Sequence, residues 1–204
     1  MKTEINPMNK TPAFAEIIQS NLQGFMGQCW NWNQTPAFGS LITVEDKKRT
    51  IFGLVYQIET GSMDPGRYPF PYQKTHEQLL AEQPQIFEFL KTTFLCVSLG
   101  YAIDEKVYYL MPPEPPLIHS FIAPATPEQS RLFFSQNRYL NLLFGANNLI
   151  PNLDELLLAL LKAQNDQNPL KNDRLNDFMQ TYSLLTGNDY RRLKLFLQRI
   201  EGLL

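Results

Sequence analysis

The chain has 204 residues, of which 44% are hydrophobic and 19% are charged, and its formal net charge is −2. This length suits one ordinary domain, or a small domain with a helical extension, and the apolar content is sufficient for a core. A net charge so close to zero produces no general attraction to nucleic acid or to anionic lipid. The composition and net charge therefore argue against a basic nucleic-acid-binding domain.

The two cysteines, Cys29 and Cys96, each lie within an apolar segment. This placement predicts buried, reduced thiols and does not suggest the disulfide framework of a small secreted domain. The first residues lack the apolar run of a signal peptide, and no segment approaches the roughly 20 continuous apolar residues of a membrane-spanning helix. We therefore expect a soluble, cytoplasmic protein with no membrane span.

The first half of the chain has the pattern of a β domain. Residues 1–12 are polar and contain two prolines, so they predict a flexible arm. Short apolar segments bounded by turn residues then predict strands at 14–18, 25–30, 41–44 and 51–58. The last of these is the clearest strand signal, because it is β-branched, aromatic or aliphatic, with Gly53 where a barrel strand would bend.

A long loop follows at residues 61–75, where two glycines and three prolines interrupt the pattern. A capping-box sequence then starts a short helix, and Pro84 begins further helical turns. Three more strands are predicted at 93–101, 107–111 and 117–122. We therefore predict that residues 13–125 form a small closed β-barrel of about six strands, with a short helical insertion near residues 76–91.

The pattern becomes helical from residue 126 onwards. Thr126, Pro127 and Gln129 combine an N-cap, a first-turn proline and a capping-box partner, and they predict one helix that ends at Gly145. Three further helices are predicted at 151–164, 169–187 and 188–204. The leucines of the first of these three nearly surround its axis, which predicts deep burial. The fold class is therefore α+β, with the barrel followed by an all-helical region at 126–204.

The sequence contains no motif that supports a chemical reaction. Two glycines of the loop 61–75 have phosphate-loop spacing, but Arg67 and Tyr68 replace the required Lys-Ser/Thr pair. The Cys and His residues lie 47, 20 and 23 positions apart, unlike the close pairs of structural zinc sites. His119 and Ser120 are neighbours on a predicted strand, so their side chains would point to opposite faces and not form a nucleophilic pair. We predict no catalytic residue, metal ligand or cofactor.

The long loop contains the best candidates for a partner surface. Its aromatic rings, like those of Trp30 and Trp32, are unfavourable in water, so they either pack back onto the barrel, which we favour, or contact a partner. Its acid Asp64 and the strand acid Glu59 flank a turn and would allow acid–base chemistry, although turn formation at Asp64-Pro65-Gly66 explains the loop acid better. The candidate partner-binding residues are Asp64, Arg67, Tyr68, Phe70 and Tyr72.

Nucleic-acid binding, as an accessory factor for DNA processing, is the alternative function. The candidate phosphate-contacting residues are Lys47, Lys48, Arg49, Arg191 and Arg192. The first three form the densest basic cluster, but Glu45 and Asp46 precede them and nearly cancel their charge. The two C-terminal arginines are equally well explained as the solvated face of an amphipathic helix.

Two segments carry a resemblance to a known family. Phe-Gly-Ser-Leu-Ile-Thr-Val at 38–44 and Phe-Gly-Leu-Val-Tyr-Gln-Ile-Glu at 52–59, joined by a charged hairpin, resemble the HAS-barrel. This is the small N-terminal barrel of HerA-type hexameric ATPases and of the catalytic subunits of rotary ATP synthases. The chain is also similar, at 61–65 and 112–121, to uncharacterised cyanobacterial proteins of about this length that carry such a barrel.

The resemblance covers about residues 13–122 and implies a role without catalysis. The ATPases continue into a nucleotide-binding domain, whereas this chain continues into predicted helices that contain no phosphate loop, so ATP hydrolysis does not carry over. The barrel's usual role in those assemblies is subunit contact or partner docking, and it supplies no catalytic residue. We therefore expect an interaction or assembly module that docks on a larger intracellular complex or self-associates through its barrel.

Overall fold

The structure of the protein, a computed structural model, describes residues 12–46, 49–64, 66, 68–104 and 106–202. Its strands are β1 (Ala15–Ser20), β2 (Gly24–Cys29), β3 (Leu41–Asp46), β4 (Arg49–Ser62), β5 (Leu90–Ile103), β6 (Lys106–Tyr108) and β7 (Phe121–Pro124). Its helices are α1 (His76–Glu82), a 3-10 helix (Pro84–Phe89), α2 (Pro127–Phe133), α3 (Tyr139–Gly145), α4 (Leu153–Gln167), α5 (Asn172–Leu185) and α6 (Tyr190–Glu201). Most of the predicted arm, together with Lys47, Lys48 and Arg67, lies outside the described residues.

Six antiparallel strands close into a barrel in the order β1-β2-β5-β4-β3-β7, with β7 pairing back onto β1. One side of β5 pairs with β4 along its length, and the other side is shared by β2 and β6. The strand β6 therefore lies outside the closed ring, at an edge of the sheet. The predicted α+β fold with a closed barrel of six strands, followed in the chain by helices, is confirmed.

The barrel interior is filled by side chains that alternate along each strand. These residues are Ala15, Ile17, Phe25, Cys29, Ile42, Val44, Ile51, Val55, Phe94, Cys96 and Ile122. Glycine is needed at one crowded position of this interior, since a Cβ atom on Gly27 would lie 2.5 Å from both the Ile122 and the Phe94 side chains. Alternate residues of the strands that were predicted from apolar segments thus form the barrel core.

The helices α2 to α6 cover one outer face of the barrel. Leu41, Phe52, Leu54, Val97 and Leu99 point out of β3, β4 and β5 and pack in one hydrophobic cluster with side chains of the helices. The ring of Phe133 is fully buried in this cluster, with its centroid 4.5 Å from that of Phe52. The leucines of α4 are buried, as predicted. This cluster contains residues from both sides of the predicted boundary at residue 125.

The single helix predicted from Thr126 to Gly145 is wrong, because the structure contains two short helices there, α2 and α3. The predicted capping box is present, with Thr126 N donating to Gln129 Oε1 at 2.8 Å. At the end of α2 the last carbonyl groups have tertiary donors: the Tyr109 hydroxyl donates to Phe133 O at 2.6 Å, and the guanidinium of Arg174 donates to O of the C-cap residue Phe134. Donors distant in sequence replace the hydrogen bonds of a continuous helix.

The strand predicted at 117–122 is displaced, since β7 begins only at Phe121. The preceding residues run beside β1, where His119 N donates to Ile17 O at 2.9 Å and Ile17 N donates to Ser120 O at 3.0 Å. His119 has a φ of +68°, in the left-handed region, so this segment is not a regular strand. The prediction that His119 and Ser120 are neighbours on a regular strand is therefore wrong.

Candidate interaction site

The predicted partner-binding loop exposes its aromatic side chains. Tyr68 is 90% exposed and Phe70 is 70% exposed, whereas Tyr72 is 38% exposed and contacts the Phe70 ring at 5.7 Å between centroids. The favoured prediction, that these rings pack back onto the barrel, therefore fails for Tyr68 and Phe70. Asp64 Oδ1 accepts from Gly66 N at 2.9 Å, which is the turn role expected for this acid.

The two tryptophans have different environments. The Trp32 ring stacks on Phe87 of the 3-10 helix, with centroids 5.4 Å apart, and its carbonyl accepts from Thr92 Oγ1 at 2.5 Å. This side chain therefore holds the helical insertion against the end of the barrel. Trp30 directly follows β2, and its side chain is 50% exposed. Among the described residues, its ring makes an edge-to-face contact with one other ring, that of Phe121.

Trp30 and Phe121 form an aromatic pair on the outer face of β1, β2 and β7. Their ring centroids are 5.2 Å apart at an interplanar angle of 89°, and the Phe121 side chain is 60% exposed. Further exposed apolar side chains lie on β1 or on the segment hydrogen-bonded to it. We call the set the Trp30–Phe121 patch, and its members are Ile18, Trp30, Leu117, Ile118 and Phe121.

The Trp30–Phe121 patch is attached to the β1–β7 ladder and adjoins a groove. Phe121 pairs with Glu16 across the β1–β7 ladder, and the Glu16 carboxylate contacts His119 Nδ1 at 2.5 Å. A groove of about 470 Å³ next to Phe121 is lined by strand residues such as Thr43 and Ala123 and by Gln129 of α2. Ile18 and Phe121 lie on strands, and Trp30 directly follows β2, so the sheet positions part of the surface that a partner would meet.

The cations predicted for nucleic acid are largely neutralised where the structure describes them. The Arg49 guanidinium contacts Asp46 Oδ2 at 2.9 Å and Glu114 Oε2 at 3.2 Å, and its side chain is only 11% exposed. Arg192 forms two hydrogen bonds to the Asp154 carboxylate, whereas Arg191 is exposed. Paired cations have less charge available for phosphate contacts.

Asp154 connects the starts of α4 and α6 to the buried ring of Tyr182. Its carboxylate accepts from Arg192 Nη2 at 2.7 Å and from the Tyr182 hydroxyl at 3.1 Å. Hydrogen bonding to Asp154 raises the pKa of Arg192, and burial together with the Asp154 charge raises the pKa of Tyr182 to about 12. This arrangement serves helix packing and keeps both donors protonated.

Removal of this carboxylate should loosen the helical layer. We expect Asp154→Ala to lower the free energy of unfolding by about 1–3 kcal/mol, because it leaves the buried Tyr182 hydroxyl without its acceptor. The matched control is Asp166→Ala, which removes an exposed pair with Lys162 on the same helix and should cost about 0.5 kcal/mol or less. Urea denaturation measures the unfolding free energy of both variants. Equal losses of stability would show that the Asp154 contacts do not contribute to the stability of the fold.

The residues considered as metal ligands are separated in the structure. Cys29 and Cys96 are buried, unpaired thiols, as predicted, and burial raises the pKa of Cys29 to about 11. His76 instead packs its ring against Phe87, at 4.9 Å between centroids. Among the described residues, no three His, Cys, Asp or Glu side chains are grouped to hold an ion.

The fold and the patch define the class of protein, a six-stranded antiparallel barrel with a helical layer on one outer face and exposed aromatic rings on another. The sequence matches no protein-family model and no curated protein. Within the described part of the chain, each helix is too short or too polar for a transmembrane span.

Proposed function

We propose that this protein is a non-catalytic interaction module that binds a protein partner, or a second copy of itself, through the Trp30–Phe121 patch. The observation that carries the proposal is the contrast between two outer faces of one barrel. The face on β3, β4 and β5 is apolar and covered by helices, whereas the face on β1, β2 and β7 presents a contacting aromatic pair to solvent. Exposed, rigidly held aromatic residues are the usual energetic centre of protein interfaces.

Two further points support an interaction role. The sequence of residues 38–59 resembles the HAS-barrel, whose usual role in its assemblies is subunit contact. The groove beside Phe121 supplies a concave surface next to the exposed rings, which favours an inserted side chain from a partner. The loop with Tyr68 and Phe70 is the second candidate surface. Substitutions in the loop and in the Trp30–Phe121 patch distinguish the two surfaces.

Binding should depend on the Trp30–Phe121 patch. We expect that Trp30→Ser/Phe121→Ser weakens self-association, or binding of a stoichiometric partner purified from the native cells, by about 30-fold or more, as loss of about 2 kcal/mol implies. The matched control Tyr68→Ser/Phe70→Ser removes two exposed rings from the loop and should leave the affinity nearly unchanged. Light scattering at micromolar concentration measures self-association, and titration of the purified partner measures binding.

The outcomes of this experiment discriminate between the functions. A strict monomer that retains no stoichiometric partner would overturn the proposal, and loss of binding only in the loop variant would move the site to Tyr68 and Phe70. An apolar contact changes little with salt, whereas phosphate contacts weaken steeply. Affinity for an oligonucleotide that falls steeply with salt, and is unaffected by Trp30→Ser/Phe121→Ser, would instead favour the nucleic-acid function.

A further inference from the structure

The strand β6 leaves a sheet edge unpaired in the described part of the structure. It pairs with β5 through Ile103↔Lys106, Ala102↔Val107 and Tyr101↔Tyr108, and no other described strand lies beyond it. In an antiparallel ladder, alternate residues direct their N–H and C=O groups away from the partner strand. Those outward groups of β6 are a template on which an extended chain can pair.

This edge faces a groove that has room for such a chain. The groove has a volume of about 860 Å³ and lies between the β6 segment and the helices α2 and α3. Leu110, which is 61% exposed, and Leu132, which is 38% exposed, provide its apolar contacts. A volume of this size is within the range of about 300–1,000 Å³ that is typical of built binding sites.

The charges that line the groove have one sign. They are Lys106, whose Nζ lies 5.0 Å above the Tyr108 ring, and Arg138 at the start of α3. Neither forms an ion pair with a described residue, and no acid is among the lining side chains. Asp104 belongs to the preceding turn and does not line the groove. The complementary ligand is therefore anionic with apolar side chains.

We propose that the groove binds a short, extended, acidic segment of a partner protein, which pairs with β6 as an added strand. Its backbone bonds the outward groups of β6, its carboxylates meet Lys106 and Arg138, and an apolar side chain contacts Leu110 and Leu132. The strand β6 has only three residues, Lys106–Tyr108, and Pro112 and Pro113 follow soon after, which restricts the paired segment to a few residues. This inference rests on the proposed interaction function but not on the Trp30–Phe121 patch.

Fluorescent hexapeptides test the proposal by anisotropy titration of the full chain. The acidic probe is Glu-Leu-Glu-Val-Glu-Leu, and the charge-reversed probe is Lys-Leu-Lys-Val-Lys-Leu. We expect the acidic probe to bind at least tenfold more tightly. Two N-methylated forms of the acidic probe, one methylated at the odd positions and one at the even positions, should differ in affinity. The form whose methyl groups block the N–H groups facing β6 should lose binding, and the other form should retain it.

Charge-reversal variants locate the site. Lys106→Glu/Arg138→Glu should weaken binding of the acidic probe at least tenfold and improve binding of the charge-reversed probe. The control Arg131→Glu/Lys171→Glu changes net charge equally outside the groove and should change either affinity less than twofold. Trp30→Ser/Phe121→Ser should bind the acidic probe as the unaltered chain does, so failure of the patch and failure of the groove are distinguishable.

Three results would each overturn the proposal: no binding of the acidic probe at millimolar concentration, equal binding of the two N-methylated forms, or equal loss in the two charge-reversal variants. Tighter binding of a helix-stabilised acidic peptide than of the extended one would also overturn it, because a helix cannot pair with a sheet edge.

Discussion

Replacement of Phe133 by alanine should lower the free energy of unfolding by about 3–5 kcal/mol, the usual cost of deleting a fully buried aromatic ring. The Phe133 ring joins the two parts of the fold, since it contacts Phe52 of the barrel at 4.5 Å and Tyr139 of α3 at 5.8 Å between centroids. Its loss leaves a cavity between two rigid layers, which cannot collapse without moving the sheet. The helical layer should therefore loosen from the barrel.

The same substitution at an exposed ring is the control. Phe70→Ala removes an identical side chain that is 70% exposed, so it should change the unfolding free energy by about 0.5 kcal/mol or less. Urea denaturation, followed by circular dichroism and by tryptophan fluorescence, measures both variants. If Phe133→Ala loses no more stability than Phe70→Ala, the barrel and the helices do not share the core described above.

Gly24→Ala should cost about 3 kcal/mol or more, since it overpacks the seam where β2 pairs with β5. A Cβ atom on Gly24 would lie 2.1 Å from the carbonyl oxygen of Cys96, which belongs to the backbone and cannot rotate away. The pairs Gly24↔Val97 and Phe25↔Cys96 would have to separate, and the barrel would open at that point. We expect a large loss of stability or a failure to accumulate as folded protein.

Gly61→Ala is the matched control for this prediction. Nothing lies within 4 Å of a Cβ atom at Gly61, which pairs with Lys91 in the β4–β5 ribbon. Alanine also restricts the unfolded chain, so the variant should be neutral or slightly more stable than the unaltered protein. Thermal and urea unfolding compare the two, and equal stability of the Gly24 and Gly61 variants would mean that β2 and β5 do not pair closely.

The barrel was predictable because its strands have strong local patterns. Along β4, Ile51 and Val55 line the interior while Phe52 and Leu54 point outward, and the sequence shows the whole run as apolar. The helix caps at Thr75 and Thr126 were likewise read correctly, since a capping box involves residues only three positions apart. Patterns that depend on neighbours in the chain were therefore recovered well.

The errors arose where distant residues determine local structure. The helix predicted to run to Gly145 ends at Phe133, where Tyr109 and Arg174 donate to the carbonyl groups of Phe133 and Phe134. The segment before β7 bonds to β1, about 100 positions away in the chain, and holds His119 in the left-handed region instead of continuing as a strand. Neither donor nor partner strand is visible in the local sequence.

The candidate site was only partly predictable, for the same reason. The sequence marked Trp30 and the aromatic loop as rings that required an explanation, but it did not single out Phe121, which lies far from Trp30 in the chain and touches it only in the fold. The sequence by itself determined most strands of the barrel and the capped starts of α1 and α2, because these follow from short-range apolar patterns and capping. Only the tertiary structure decided which face of the barrel the helices cover, which aromatic rings stay in solvent and that β6 remains at an edge, because each depends on contacts between segments that are distant along the chain.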